Sequence, residues 1–233
     1  MRDATLHPTG TGAQPTFRTP LILLALADLG LLGARLWPWQ DLANMPGGAT
    51  TAIDPAVTLA AYIGFSFWIS STSSTQARKA LFHAGLLGLI GGLLLAAQVS
   101  LATRPAPEAG SASQPLTIQL GLMAAAAIVC GIAALRPVRA GMSVGFGMVC
   151  AGWCAMVSCL IATTTILAEA SFSMAPPQSP DPWKQYQGLA IGTPATQSLV
   201  HTLNTVAGFL LIGPIVGVIA GVILAQFGSS KKG

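Results

Sequence analysis

Apolar residues fall into six blocks along this chain, separated by short segments where prolines, hydroxyl residues and charges gather. The blocks cover residues 20–37, 52–71, 80–102, 116–135, 141–170 and 196–227. About 20 apolar residues cross a bilayer as a helix, with a usual range of about 17–25. The first four blocks are near that length. The last two exceed it, so tilting, kinking or projection beyond the lipid is expected of them. No segment alternates apolar and polar residues over a useful length, and a helix satisfies all its backbone groups without help from water. The pattern therefore predicts an all-α, polytopic membrane protein of six transmembrane helices. A segment of residues 1–19 precedes the bundle of 20–227, and a tail of 228–233 follows it.

Prolines punctuate the blocks. Arg104-Pro105 closes the third, Arg136-Pro137 the fourth, and Pro176-Pro177 follows the fifth. Proline lacks the amide hydrogen that a helix interior uses and biases its predecessor away from helical geometry. The residues 71–75 and 108–113, rich in serine and threonine or in glycine and serine, read as solvated loops.

Composition changes little in this picture and excludes much else. Only 8% of the residues are charged, against about 25% in a soluble domain. The net charge of +4 comes from Lys and Arg scattered between apolar blocks, with no basic stripe and no interleaved aromatics, so a nucleic-acid partner is not expected. Walker, zincin and nucleophile-elbow motifs are absent from the chain, which leaves an enzyme without a recognisable signature. Cutting the first block at Ala25-Leu26-Ala27 would leave too few apolar residues for a signal peptide, so that block is expected to remain as a span.

The loop charges give an orientation. Arg2, Arg18, Arg78, Lys79, Arg136, Arg139, Lys231 and Lys232 fall on one side of a six-span arrangement, and Arg35, Arg104 and Lys184 on the other. Positive residues stay in the cytoplasm, so both termini are placed there, as in a multi-pass protein of the bacterial cytoplasmic membrane. Trp37, Trp39 and Trp68 sit at block ends, where an aromatic belt is expected, while Trp153 lies deeper and suits packing.

Candidate chemistry is sparse. Asp28 stands about eight residues into the first block, roughly 12 Å deep at 1.5 Å per residue. A carboxylate there costs a few kcal/mol unless it faces protein or water or is protonated. It is a candidate proton or cation site, or an acid that helps helices dock, and it is expected in the inner half of the membrane. Gln197, His201, Asn204 and Thr205 share a helical face in the sixth block. Gln98, Gln119, Thr163, Thr164, Thr165 and Glu169 are expected at similar depth in the outer halves of other spans. Converging, these would line a polar pocket open to the outside. His83 and His201 are candidate axial ligands for haem or a chlorophyll-type pigment. Their places near opposite membrane faces argue against one shared cofactor.

Small residues recur every four positions at Ala84, Gly88, Gly92 and Ala96, and again at Gly213, Gly217, Gly221 and Ala225. That spacing puts them on one face and lets another backbone approach closely, whether within the chain or from a partner subunit. Pro214 follows Gly213 and is expected to kink the sixth span. Cys130, Cys150, Cys154 and Cys159 lie inside apolar blocks, where thiols act as small packing residues more often than as soft-metal ligands, so no metal is expected. Three functional classes fit. The first is a non-catalytic subunit of a larger membrane complex, bioenergetic ones included. The second is a small transporter or channel using Asp28 and the outer polar set, and the third is a pigment- or haem-binding subunit.

Overall fold

The computed structural model describes residues 18–36, 48–72, 74–102, 113–172 and 194–229. These form six α-helices: α1 (Thr19–Arg35), α2 (Gly48–Thr72), α3 (Thr75–Ala102), α4 (Ser113–Arg139), α5 (Val144–Phe172) and α6 (Pro194–Ser229). Five of them, α2 to α6, are long and apolar enough to cross a membrane. The 17 residues of α1 rise roughly 25 Å, a little less than the hydrocarbon thickness of about 30 Å. Trp37, Trp39, Arg104 and Lys184 lie outside the described residues.

Several helices run past the ends that their apolar blocks suggest. Ser74 caps α3, its Oγ accepting from the Ala77 amide at 3.3 Å, so the helix starts five residues before the apolar block. The fourth block does not end at Arg136-Pro137: α4 continues through Pro137 to Arg139. Proline there removes one helical hydrogen bond, the one to the Ala133 carbonyl, with less than a turn of helix left to disturb. The helix then closes in a Schellman motif. The Met142 amide donates to the Pro137 carbonyl and the Gly141 amide to the Val138 carbonyl, both at 3.0 Å, with Gly141 at φ +91°. Ser143 immediately caps α5. This corner is short because glycine can take the left-handed conformation that the reversal needs.

Both small-residue ridges are spent on one helix, α5. A side chain on Gly88 would meet the Cys154 carbonyl oxygen at 2.7 Å, and one on Gly92 would meet Ile161 Cδ1 at 2.5 Å. From the other side, Gly213 faces Cys159, Gly217 faces Ala155, and Gly221 faces Ala151 at 2.5 Å. Ala84, from the first ridge, is buried. The order of these contacts gives the directions: α3 runs parallel to α5, and α6 runs antiparallel to it. Ser158 sits between α3 and α5, its hydroxyl 2.9 Å from the carbonyls of Gly88 and Cys154, one proton shared by two acceptors.

The result is a bundle wound around α5, with α1, α3, α4 and α6 against it and α2 bridging α1 to α6. Of the apolar stretch of α5, 61% is buried, against 22–33% in the other four long helices. Trp153, Leu160 and Leu167 of α5 are fully buried, with Leu21, Leu59, Leu81, Leu203 and Leu210 packed around it from the other helices. The start of α1 lies beside the end of α2, where the Arg18 guanidinium stands 5.3 Å from the centre of the Phe67 ring. The outward faces are themselves apolar, with Leu93, Ile118, Ile212 and Phe227 among the exposed side chains.

Candidate functional site

Apart from Asp28 of α1, Ser66 of α2 and the Gln98 oxygen of α3, the polar residues of the interior lie along α5. Its chain of Ser158, Thr163, Thr164, Thr165 and Glu169 spans roughly 16 Å of helix, and three of these side chains meet neighbouring helices. Asp28 of α1 is completely buried, and its Oδ1 lies 2.7 Å from Thr164 Oγ1. The same hydroxyl lies 2.9 Å from the Leu160 carbonyl. As at Ser158, one hydroxyl proton is shared by two acceptors, here the Asp28 carboxyl and the Leu160 carbonyl. Further along, Ser100 of α3 donates to Glu169 Oε1 at 2.5 Å.

This contact corrects one expectation. Asp28 was assigned to the inner half of the membrane and Thr164 to the outer half, yet they share one layer. The depth count assumed that each helix starts at the same level. α1 instead enters further along α5, and its midpoint sits where α5 has already passed its own.

Around that layer three buried oxygens have no hydrogen-bond partner among the described residues: Asp28 Oδ2, Thr163 Oγ1 and Gln98 Oε1. Because Ser100 is level with Glu169, Gln98 is level with about residue 167, so the three lie within roughly a turn of one another in height. Orphaned acceptors and hydroxyls in a low-dielectric interior are costly and mark places where a water, a proton or an ion would be held.

The other expected residues do not join them. His201 and Asn204 are exposed on the face of α6 opposite its buried Leu203, Val206 and Leu210. Thr205 turns back on its own helix, donating to the His201 carbonyl at 2.9 Å. Gln119 is half-buried near the start of α4, and the side chain of Gln197 lies outside the described residues. The single polar pocket imagined from sequence thus separates into an interior line on α5 and an exposed face on α6.

The two histidines are at opposite ends of the bundle. His83 is near the start of α3 and borders a cavity with Arg136 and Pro137 at the end of α4. α6 runs parallel to α4, since Gly217 abuts Cys130 and Gly221 abuts Ala134, so His201 at the start of α6 is remote from that end. One cofactor cannot be held by both. His83 Nδ1–H donates to the Lys79 carbonyl at 2.7 Å, which leaves Nε2 as the ring atom open to a ligand.

The four cysteines are free and buried. Cys130 and Cys154 are in thiol–thiol contact between α4 and α5, and Cys159 lies against Gly213. Among the described residues no group of three or more His, Cys, Asp or Glu side chains is placed to hold a metal ion.

One interhelical pairing has no signature in the spacing of the chain. Pro214 has no amide hydrogen, so the Leu210 carbonyl, four residues before it, loses its helical donor. Tyr62 of α2 fills the gap: its hydroxyl donates to the Leu210 oxygen at 2.5 Å, and the side chain is buried. The clue was a lone tyrosine in an apolar block, which needs a buried acceptor for its hydroxyl. Beside this joint an apolar cleft of about 650 Å³ opens between α2, α5 and α6, bordered by Phe65, Met148, Met156 and Pro214.

No protein-family model, curated protein or solved structure matches the chain.

Proposed function

We propose that this protein is a non-catalytic subunit of a larger membrane complex, crossing a bacterial cytoplasmic membrane six times with both termini inside. The observation that carries this reading is the outer face of α6. His201, Asn204, Leu211, Ile215, Ile219 and Ile223 are exposed at helical spacing and form one stripe. Lipid tails suit its apolar part but offer nothing to a histidine and an asparagine, whereas a neighbouring transmembrane helix can hydrogen-bond to both. The glycine ridges, by contrast, are occupied by α5 of the same chain, so the partner surface is the stripe and not the ridges.

Purified in mild detergent from its native membrane, the protein is expected in a particle several times its own mass. The double variant His201→Leu, Asn204→Leu should shed the partner while remaining folded. A wild-type particle containing one chain alone would defeat this reading. An absorption spectrum of the same sample checks the pigment alternative, since a Soret or chlorin band would assign exposed His201 or His83 a ligand.

Six crossings are supported by the direction of the helices, which alternates wherever contacts define it, and by Arg18, Arg78, Lys79, Arg136 and Arg139 gathering at one end. A periplasm-dependent reporter fused near Gly110 should be active, and one near Gln76 silent. The opposite pattern would invert the topology.

A second reading, proton- or cation-coupled transport, is favoured by the orphaned Asp28 Oδ2 and the two other orphaned oxygens near its level. Asparagine is the discriminating replacement, because its amide oxygen can accept from Thr164 where the carboxyl oxygen does. Asp28→Asn should therefore fold like the wild type. If it also retains all transport or growth complementation, the proton-site reading is lost; a selective loss of proton-coupled flux supports it.

A further inference from the structure

We infer that the cavity between the start of α3 and the end of α4 is a binding site for one anionic phospholipid with a hydroxylated headgroup, of the phosphatidylglycerol type. The cavity measures about 320 Å³. Gln76, His83 and Arg136 supply its polar border, and Ala80, Ala133 and Pro137 are among its apolar walls.

Charge selects the ligand. Neither α3 nor α4 contains a single acidic residue, while Arg78, Lys79, Arg136 and Arg139 all lie at this end of the two helices. Basic pockets between transmembrane helices at the headgroup level attract anionic lipid, each Lys or Arg near the surface contributing about 1 kcal/mol. The Arg136 guanidinium and the Gln76 amide are donors suited to a phosphate.

The acceptors select the headgroup. The Nδ1–H of His83 is committed to the Lys79 carbonyl, so in the neutral ring Nε2 offers a lone pair to a hydroxyl. Pro137 leaves the carbonyl of Ala133, another lining residue, without its helical amide donor. A headgroup that brings both a phosphate and free hydroxyls matches this set, whereas a choline headgroup has no hydroxyl to donate. The tails have a place too. Leu86 and Leu93 of α3 and Ile132 of α4 are exposed and apolar.

The test uses the full chain, stripped of lipid in detergent and mixed with phosphatidylglycerol, phosphatidylcholine or inorganic phosphate. Native mass spectrometry is expected to show the phosphatidylglycerol adduct retained about fivefold over phosphatidylcholine, the factor that one cation at the surface supplies. Arg136→Gln should remove that preference. Ala80→Leu, which takes up part of the cavity and keeps every charge, should weaken it as well, and it carries the test alone if the first variant fails to fold. Arg139→Gln, outside the lining, should keep most of it. Equal retention of both lipids would overturn the proposal, as would a preference undiminished in Ala80→Leu. A loss in Arg139→Gln equal to that in Arg136→Gln would overturn it too, showing diffuse surface attraction. Thermal stabilisation by inorganic phosphate equal to that by phosphatidylglycerol would assign the cavity to a soluble anion and refute the lipid.

Discussion

Gly88→Leu is expected to prevent the bundle from assembling. The first carbon of the new side chain would lie 2.7 Å from the Cys154 carbonyl oxygen and 2.8 Å from Val157 Cβ. The first obstacle is backbone, which cannot rotate away. Relief requires α3 and α5 to separate, and separation also strips Ser158 of the Gly88 carbonyl. Overpacking in a well-filled interior costs about 1–3 kcal/mol, occasionally more. A backbone obstacle places this variant at or above the upper end, near about 3 kcal/mol. Gly121→Leu on α4 is the control, since a β-carbon there meets nothing within 4 Å and the position is exposed. Size-exclusion profiles and thermal unfolding in detergent should show a monodisperse, wild-type-like Gly121→Leu and an aggregated or absent Gly88→Leu. Equal behaviour of the two would mean that the α3–α5 contact is looser than described.

The second large effect is expected at the Tyr62–Leu210 bond, and it should depend on Pro214. Tyr62→Phe removes the donor from a buried carbonyl that has no helical amide to fall back on. Unsatisfied buried acceptors cost about 1–3 kcal/mol, and interhelical hydrogen bonds in membrane proteins fall toward the low end of that range. With Pro214→Ala, residue 214 recovers its amide hydrogen and can donate to Leu210 along the helix. Tyr62→Phe should then cost only a few tenths of a kcal/mol, leaving a coupling energy of about 1 kcal/mol in the double-mutant cycle. Additive effects of the two substitutions would show that Tyr62 is held by its ring packing alone. The pairing also says what Pro214 does here: the helix bears a broken hydrogen bond because another helix repairs it.

These two sites differ in how far they could be read beforehand. The four-residue spacing of Gly88 and Gly92, and of Gly213, Gly217 and Gly221, was plain in the chain, and so was its meaning as a close-approach surface. That both ridges would close on the same helix was not. α5 carries no ridge pattern of its own beyond its cysteines, alanines and Ser158, which are small residues that also occur on outward faces. Tyr62 and Pro214 were each visible, but 152 positions separate them, and nothing local links a missing amide on one helix to a hydroxyl on another.

The candidate site divides in the same way. Asp28 was marked by its position in an apolar block, and its burial follows from the cost of charge in lipid. Its partner Thr164 and its depth depended on where α1 docks along α5, which no spacing encodes. His201 and Asn204 share a face by their spacing, and that face points away from the bundle.

The sequence by itself determined the helices, their approximate lengths and the faces along which they approach closely. Only the tertiary structure decided which helix is central, which polar residues meet and which look outward. The reason is the solvent. In water, the apolar stripe of a helix points to the core and the polar stripe to the surface, so periodicity carries a direction. In lipid both sides are apolar, and exposed Ile212 or Leu93 reads like buried Leu210 or Leu81. What remains legible is side-chain size and the rare polar group. These show that two surfaces are made for contact without saying which surface each one meets.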